Sequence, residues 1–313
     1  MDNQNTDRLL SLQTFGVRPD WHASRADAQV QRDQQTVTLV IVATMIISVG
    51  VTWITDRLLQ DAAWRSLSYE ASAPCLYVGV LIWYALRRRA EGIRAAIGVY
   101  AALLVIVGVV DVLTKLGMTS AAWDDVSNRG NPRLLWGVLM LLPLGLAWWV
   151  MRRYASRAEM RLVGLDLNRP GRNLVLGLIG GAALGGHFLF GTAFTGALGL
   201  RLPPLPYLLW QTGYELGIAA LGIELFFQGV VLNYLHYERR WGIWEAALLT
   251  AALQVIPIMV KASWRANPII TIGTLFYIFM RGMISAGLYQ RTRNLLPPVL
   301  SNFVFNMLTV VRL

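Results

Sequence analysis

Charge is what this chain has least of: Asp, Glu, Lys and Arg make up 15% of its 313 residues. A soluble domain ordinarily carries about 25%, so a water-soluble globular fold is excluded. Cysteine is nearly absent. The single thiol, Cys75, has no intrachain partner, which rules out a disulfide framework and leaves a packing residue at the start of an apolar run. Histidine is limited to His22, His187 and His236. No Ser-His-Asp, Cys-His or phosphate-loop arrangement occurs, and no internal repeat or low-complexity tract stands out. No cleavable signal peptide is visible either. Residues 1–35 are polar and lead directly into the first apolar run, so the first helix is expected to act as a signal anchor.

What the chain does have is hydrocarbon: apolar residues make up 55% and the mean hydropathy is +0.48. A helix needs about 20 apolar residues to cross a bilayer core about 30 Å thick. Apolar spans are read at about 36–54, 72–86, 94–116, 134–151, 174–198, 207–235, 244–261, 268–288 and 296–311. The expectation is an all-α, polytopic transmembrane bundle of about nine helices. The second span is short, so seven or eight spans plus a re-entrant element is the alternative.

The formal net charge of +10 raises the question of nucleic acid, but the basic residues lie in short loops between apolar runs. Cytoplasmic loops of membrane proteins are enriched in Lys and Arg. With the N terminus inside, nine spans put 18 of the 28 Lys and Arg residues in cytoplasmic segments and nine on the other side, with Arg281 left within the eighth span. Topology therefore accounts for the charge, and no nucleic-acid partner is expected. The expected location is an integral, multi-pass position in a bacterial inner (plasma) membrane with the N terminus cytoplasmic. The chain divides into a cytoplasmic tail (1–35), a four-helix front (36–151), a basic cytoplasmic loop (152–173) and a five-helix core (174–313). The leucine cluster Leu9, Leu10, Leu12 and Phe15 suits the tail to a membrane surface or a partner.

Ionisable groups at membrane depth are costly, so each is a candidate site. Glu215 and Glu224 lie nine residues apart on the sixth span, which on an ideal α-helix puts them on roughly opposite faces. Gln228 shares the Glu224 face, and Asn302 and Asn306 repeat that four-residue spacing on the ninth span. Gln254 and Lys261 flank a stretch interrupted by Pro257, where a kink and a cavity are expected. Such amides serve either as interhelical hydrogen bonds or as a site. Arg281 needs a carboxylate partner, and Glu215 and Glu224 are available, as a structural clamp or as a catalytic device. His187 is the one intramembrane imidazole, suited to a hydrogen bond or to ligating a pigment or haem. Gly177, Gly181 and Gly185, with Gly213 and Gly217, permit close helix approach within the chain or between chains. Twelve tryptophans fit interfacial belts or a partner-facing surface.

The phrases GIELFFQGVVLNYLHYERRWG, EAALLTAALQVIPIMV and GLYQRTRNLLPPVLSNFVFNML resemble the CPBP intramembrane protease family, the CAAX-processing and bacteriocin-processing (Abi) enzymes, over about residues 170–311. That family carries Glu-Glu-x-x-x-Arg, Phe-x-x-x-His and His-x-x-x-Asn on successive motif helices. Here Ile223 stands for the first glutamate, Glu224 is kept, and Gln228 replaces the arginine. Gln254 takes the phenylalanine position, Ile258 the first histidine, Asn302 the second histidine, and Asn306 matches the asparagine. In the family the first glutamate is taken as general base, while the histidines and asparagine organise a metal-bound or activated water. Zinc needs about three good ligands, and without both imidazoles one carboxylate and amides remain.

The resemblance thus implies a degenerate member: no metal, no zinc and no other cofactor expected. Its expected role is that of scaffold or regulatory subunit, with membrane lipid and another membrane protein as partners. Two alternatives stay open. One is a divergent CPBP endopeptidase using Glu224, and the other an accessory or cofactor-holding subunit of an electron-transfer or light-harvesting complex, suggested by His187 and the tryptophans.

Overall fold

The computed structural model describes residues 27–57, 67–113, 138–166, 168–194, 203, 205–260 and 268–310, which are helical or helix-connecting throughout. In chain order the helices are α1 (Asp27–Arg57), α2 (Leu67–Leu86), α3 (Gly92–Leu113), α4 (Leu142–Tyr154), α5 (Arg157–Leu162) and α6 (Pro170–Phe194). Next comes α7, one continuous helix made of Leu205–Tyr214, a π-helical Glu215–Ala219, Ala220–Phe226 and two further π segments, Phe227–Leu232 and Tyr234–Glu238. It is followed by α8 (Ile243–Met259), α9 (Pro268–Thr292) and α10 (Leu296–Val310). The tail cluster around Leu9 and the residue Lys261 lie outside the described residues.

The protein is a helical membrane bundle. Five helices are long and apolar enough to cross a bilayer: Gln29–Thr55, Gly92–Val110, Pro170–Phe194, Tyr207–Glu238 and Thr271–Thr292. Shorter apolar helices cover Ala71–Leu86 and Ile243–Met259. Exposed large side chains such as Leu39, Ile97, Trp149, Phe190 and Phe194 suit a helix surface against hydrocarbon. The Tyr207–Glu238 segment of α7 differs in that 83% of its most apolar 18-residue stretch is buried. It is the central post of the fold.

One apolar cluster reaches from Val37 on α1 to Val299 on α10 and leaves out α6. On α2, Tyr77 stacks on Phe226 of α7 with ring centroids 4.6 Å apart. Cys75 is buried at 1% exposure, and a Cβ on Gly222 would lie 2.6 Å from the carbonyl oxygen of Pro74. A Cβ on Gly217 would lie only 1.6 Å from the carbonyl oxygen of Met140, so the chain before α4 rests on the first π segment of α7. The glycine stripe of α6 faces α10. Cβ atoms at Gly177, Gly181 and Gly185 would meet Leu300, Ser301 and Leu308 within 2.5–2.7 Å. The small residues therefore serve close packing inside the chain.

The basic loop after α4 is structured as well. Ser156 and Glu159 form a capping box, with Glu159 N donating to Ser156 Oγ (3.3 Å) and Ser156 N to Glu159 Oε2 (2.6 Å). Glu159 also pairs with Arg89 at 2.7 Å. Asn233 donates to the carbonyl of Leu162 (2.8 Å), Leu295 N donates to the carbonyl of Gly164 (2.8 Å), and Asn294 donates to that of Asp166. The segment is fastened to α7 and α10 from below.

Candidate functional site

The site is built on four helices, each presenting polar side chains one turn apart: Glu224 and Gln228 on α7, Thr250 and Gln254 on α8, Arg281 and Ser285 on α9, Asn302 and Asn306 on α10. All but Asn306 are buried, and Asn306 is half-buried. Asn302 Nδ2 donates to Glu224 Oε1 at 2.8 Å, and Asn306 Nδ2 donates to Glu215 Oε2 at 2.7 Å. Gln211 Nε2 donates to the other Glu215 oxygen at 2.9 Å. The two-rung ladder of α10 thus reads both glutamates of α7.

This corrects the expectation that Glu215 and Glu224 face opposite ways. The ideal α-helical wheel fails because Glu215–Ala219 is a π-helix, whose i→i+5 bonding turns the chain less per residue than an α-helix. Over five residues that lag swings Glu215 back toward the Glu224 side. Arg281 also differs from expectation. It lies within electrostatic reach of both carboxylates but forms an ion pair with neither: its Nη1 donates to Asn306 Oδ1 at 3.2 Å, and its guanidinium carbon lies 6.0 Å from the Phe305 ring centre. Asn306 therefore links Arg281 to Glu215. The arrangement is an amide-bridged clamp across α7, α9 and α10.

Around Glu224 the polar groups are not all paired. Nine buried atoms lack a hydrogen-bond partner among the described residues: Glu224 Oε2, both side-chain termini of Gln228 and of Gln254, Thr250 Oγ1, Arg281 Nε, Ser285 Oγ and Asn302 Oδ1. Ser285 and Gln228 stand beside the Glu224 carboxyl without meeting hydrogen-bond geometry. Gln254 packs next to Gly282, where a Cβ would lie 3.3 Å from its Cδ. Unpaired buried polar atoms are costly and call for a guest such as water or an ion.

The remaining sequence candidates fall elsewhere or bring only hydrocarbon. Ile223 and Ile258 are half-buried alkyl side chains. His187 Nδ1 sits 2.8 Å from Tyr277 Oη on a lipid-exposed part of α6. His236 Nδ1 sits 2.9 Å from the Trp241 carbonyl, at the end of α7. His22 is outside the described residues. Thr250 and Ser285 are members the sequence did not single out. Their signal is weak, since hydroxyls are common in apolar helices, and only the one-turn spacing from Gln254 and Arg281 betrays them.

Zinc, which the CPBP resemblance implies, needs about three N, O or S ligands. Among the described residues no group of three His, Cys, Asp or Glu side chains assembles anywhere. At the motif positions the donor set is one carboxylate with carboxamides, which does not fit zinc.

Residues 205–308, from the start of α7 almost to the end of α10, match the family model described as type II CAAX prenyl endopeptidase Rce1-like. No curated protein and no solved structure matches the chain.

Proposed function

We propose, taking the CAAX-protease likeness of α7–α10 as premise, that this integral membrane protein is a non-hydrolytic member whose core works as a scaffold or regulatory subunit for another membrane protein. The observation that carries this reading is the Asn302–Glu224 hydrogen bond. The retained carboxylate is tied to an amide at the position where the family places an imidazole, and the described histidines are engaged elsewhere. A general base needs a proton to abstract and a water to activate. Here Glu224 serves to join α7 to α10, and no cofactor is required. In cleavage assays with prenylated CaaX peptides, wild type and Glu224→Gln are expected to be equally inert. Cleavage by wild type that is lost in Glu224→Gln would overturn the reading. For the scaffold role, purification from native membranes in mild detergent is expected to return the chain with a fixed stoichiometry of a second membrane protein. A monodisperse monomer under every condition would remove it.

A divergent hydrolase is the second reading, supported by the unpaired Glu224 Oε2, Gln228, Thr250, Gln254 and Ser285 atoms, which leave room in the polar balance for water or a peptide group. The same peptide assay separates the two readings.

A further inference from the structure

A concave site lies away from the polar cluster of α7–α10, where α4 ends and α5 begins. It is a cavity of about 450 Å³, within the range of small-molecule sites. Arg152, Arg157 and Arg161 line it together with Trp148, Met160 and Leu165. Asp166, also on its wall, accepts a hydrogen bond from Arg161 Nε at 2.8 Å. That pair holds Arg161 in place and neutralises one charge, leaving Arg152 and Arg157 as exposed cations.

The walls are fixed. α5 is held by its capping box, by Arg89 on Glu159, and by Asn233 and Leu295 on the carbonyls of Leu162 and Gly164. A preorganised site loses less on binding than a loose loop does. The lining is also two-sided, with guanidiniums facing an aromatic ring and two alkyl side chains. A free inorganic anion would use only the first half. α4 itself exposes Leu142, Leu144 and Trp149, as a helix against lipid does, so the cavity sits where a lipid headgroup meets its acyl chains.

We infer that this cavity binds the headgroup of an anionic phospholipid, with its phosphodiester on Arg152 and Arg157 and its glycerol and first methylenes on Trp148, Met160 and Leu165. Guanidiniums suit a phosphodiester because they offer paired donors in one plane. The site is independent of how the core is read.

The test uses the full chain in phosphatidylcholine nanodiscs with and without phosphatidylglycerol, and native mass spectrometry to count retained lipids. Phosphatidylglycerol is expected to raise Tm and to remain bound. Arg152→Gln/Arg157→Gln is expected to weaken that binding by about 30-fold, at about one factor of five per basic residue. Arg94→Gln/Arg172→Gln, which removes the same charge elsewhere on the chain, should leave it unchanged. Equal stabilisation by phosphatidylcholine, full reproduction of the effect by inorganic phosphate, or equal loss in the two double variants would each overturn the assignment.

Discussion

Asn302 matters because its amide is the one hydrogen-bond partner, among the described residues, of a fully buried carboxylate. Removing one member of a buried pair leaves the other with its desolvation cost, about 1–3 kcal/mol. Asn302→Leu should therefore lower thermal stability in detergent by that order. Glu224→Gln keeps an acceptor for the Asn302 amide and should cost less, and the reverse order would contradict the pairing. Glu159, in the aqueous connection between α4 and α6, gives a pH-dependent case. Burial alone would raise its carboxyl, but the hydrogen bonds from Arg89 and Ser156 outweigh burial and hold it below the ordinary glutamate value. A carboxyl lowered on folding adds stability above its unfolded value of about 4.3, and that stability is lost as pH falls through the lower folded value. Melting curves of wild type and Glu159→Gln should differ at pH 7 and converge under acid conditions. At this scale the sequence was partly legible. The Ser156–Glu159 capping box follows a known spacing but sat in a stretch read as a plain loop, and the Arg281 partner was misread because Asn306 intervenes.

The elements were the most legible level, since long apolar runs dictate helices in a bilayer where every backbone group must be satisfied internally. Each of the nine apolar spans contains a described helix. What periodicity could not reveal was the π segments of α7, because assigning rotation per residue presupposes an α-helix. The segment Glu215–Ala219 carries the consequence for the site, turning Glu215 toward Asn306. Gly217 lies inside it, against Met140. Gly217→Ala should therefore separate the chain before α4 from α7 and lower Tm by several degrees, whereas Gly186→Ala, where a Cβ meets nothing within 4 Å, should have little effect. Equal tolerance at both positions would show that the close approach is not a constraint. Gly164 combines a φ of +77° with Tyr289 Cε2 at 2.5 Å from a would-be Cβ, and it is the turn that lets the Gly164 carbonyl reach Leu295.

At the scale of the whole molecule, the family match covers residues 205–308, yet the apolar core is shared with α1–α4. Near the end of α7, Glu238 pairs with Arg87 at 2.5 Å and its carbonyl accepts from Gln34 at 3.1 Å. The loops after α2 and α7 and the start of α1 therefore lie on one side. Topology mapping with membrane-impermeant reagents should place residues 87–94 and 239–241 on the same face as residues 152–173, and accessibility from opposite faces would break the nine-span arrangement. The basic-residue count anticipated this side-to-side order because charge placement is a local property, while the interlock of front and core depends on glycine contacts that no spacing announces.

The buried thiol of α2 has a consequence of its own. Cys75 is the lone thiol and is buried on α2, with Tyr100 of α3 as a near neighbour. Alkylation at that sulfur can proceed only as fast as the helices packed on α2 open, so the labelling half-time is a clock for the breathing of the N-terminal helices. Any binder that holds α2 and α3 together, whether partner subunit or lipid, should slow it.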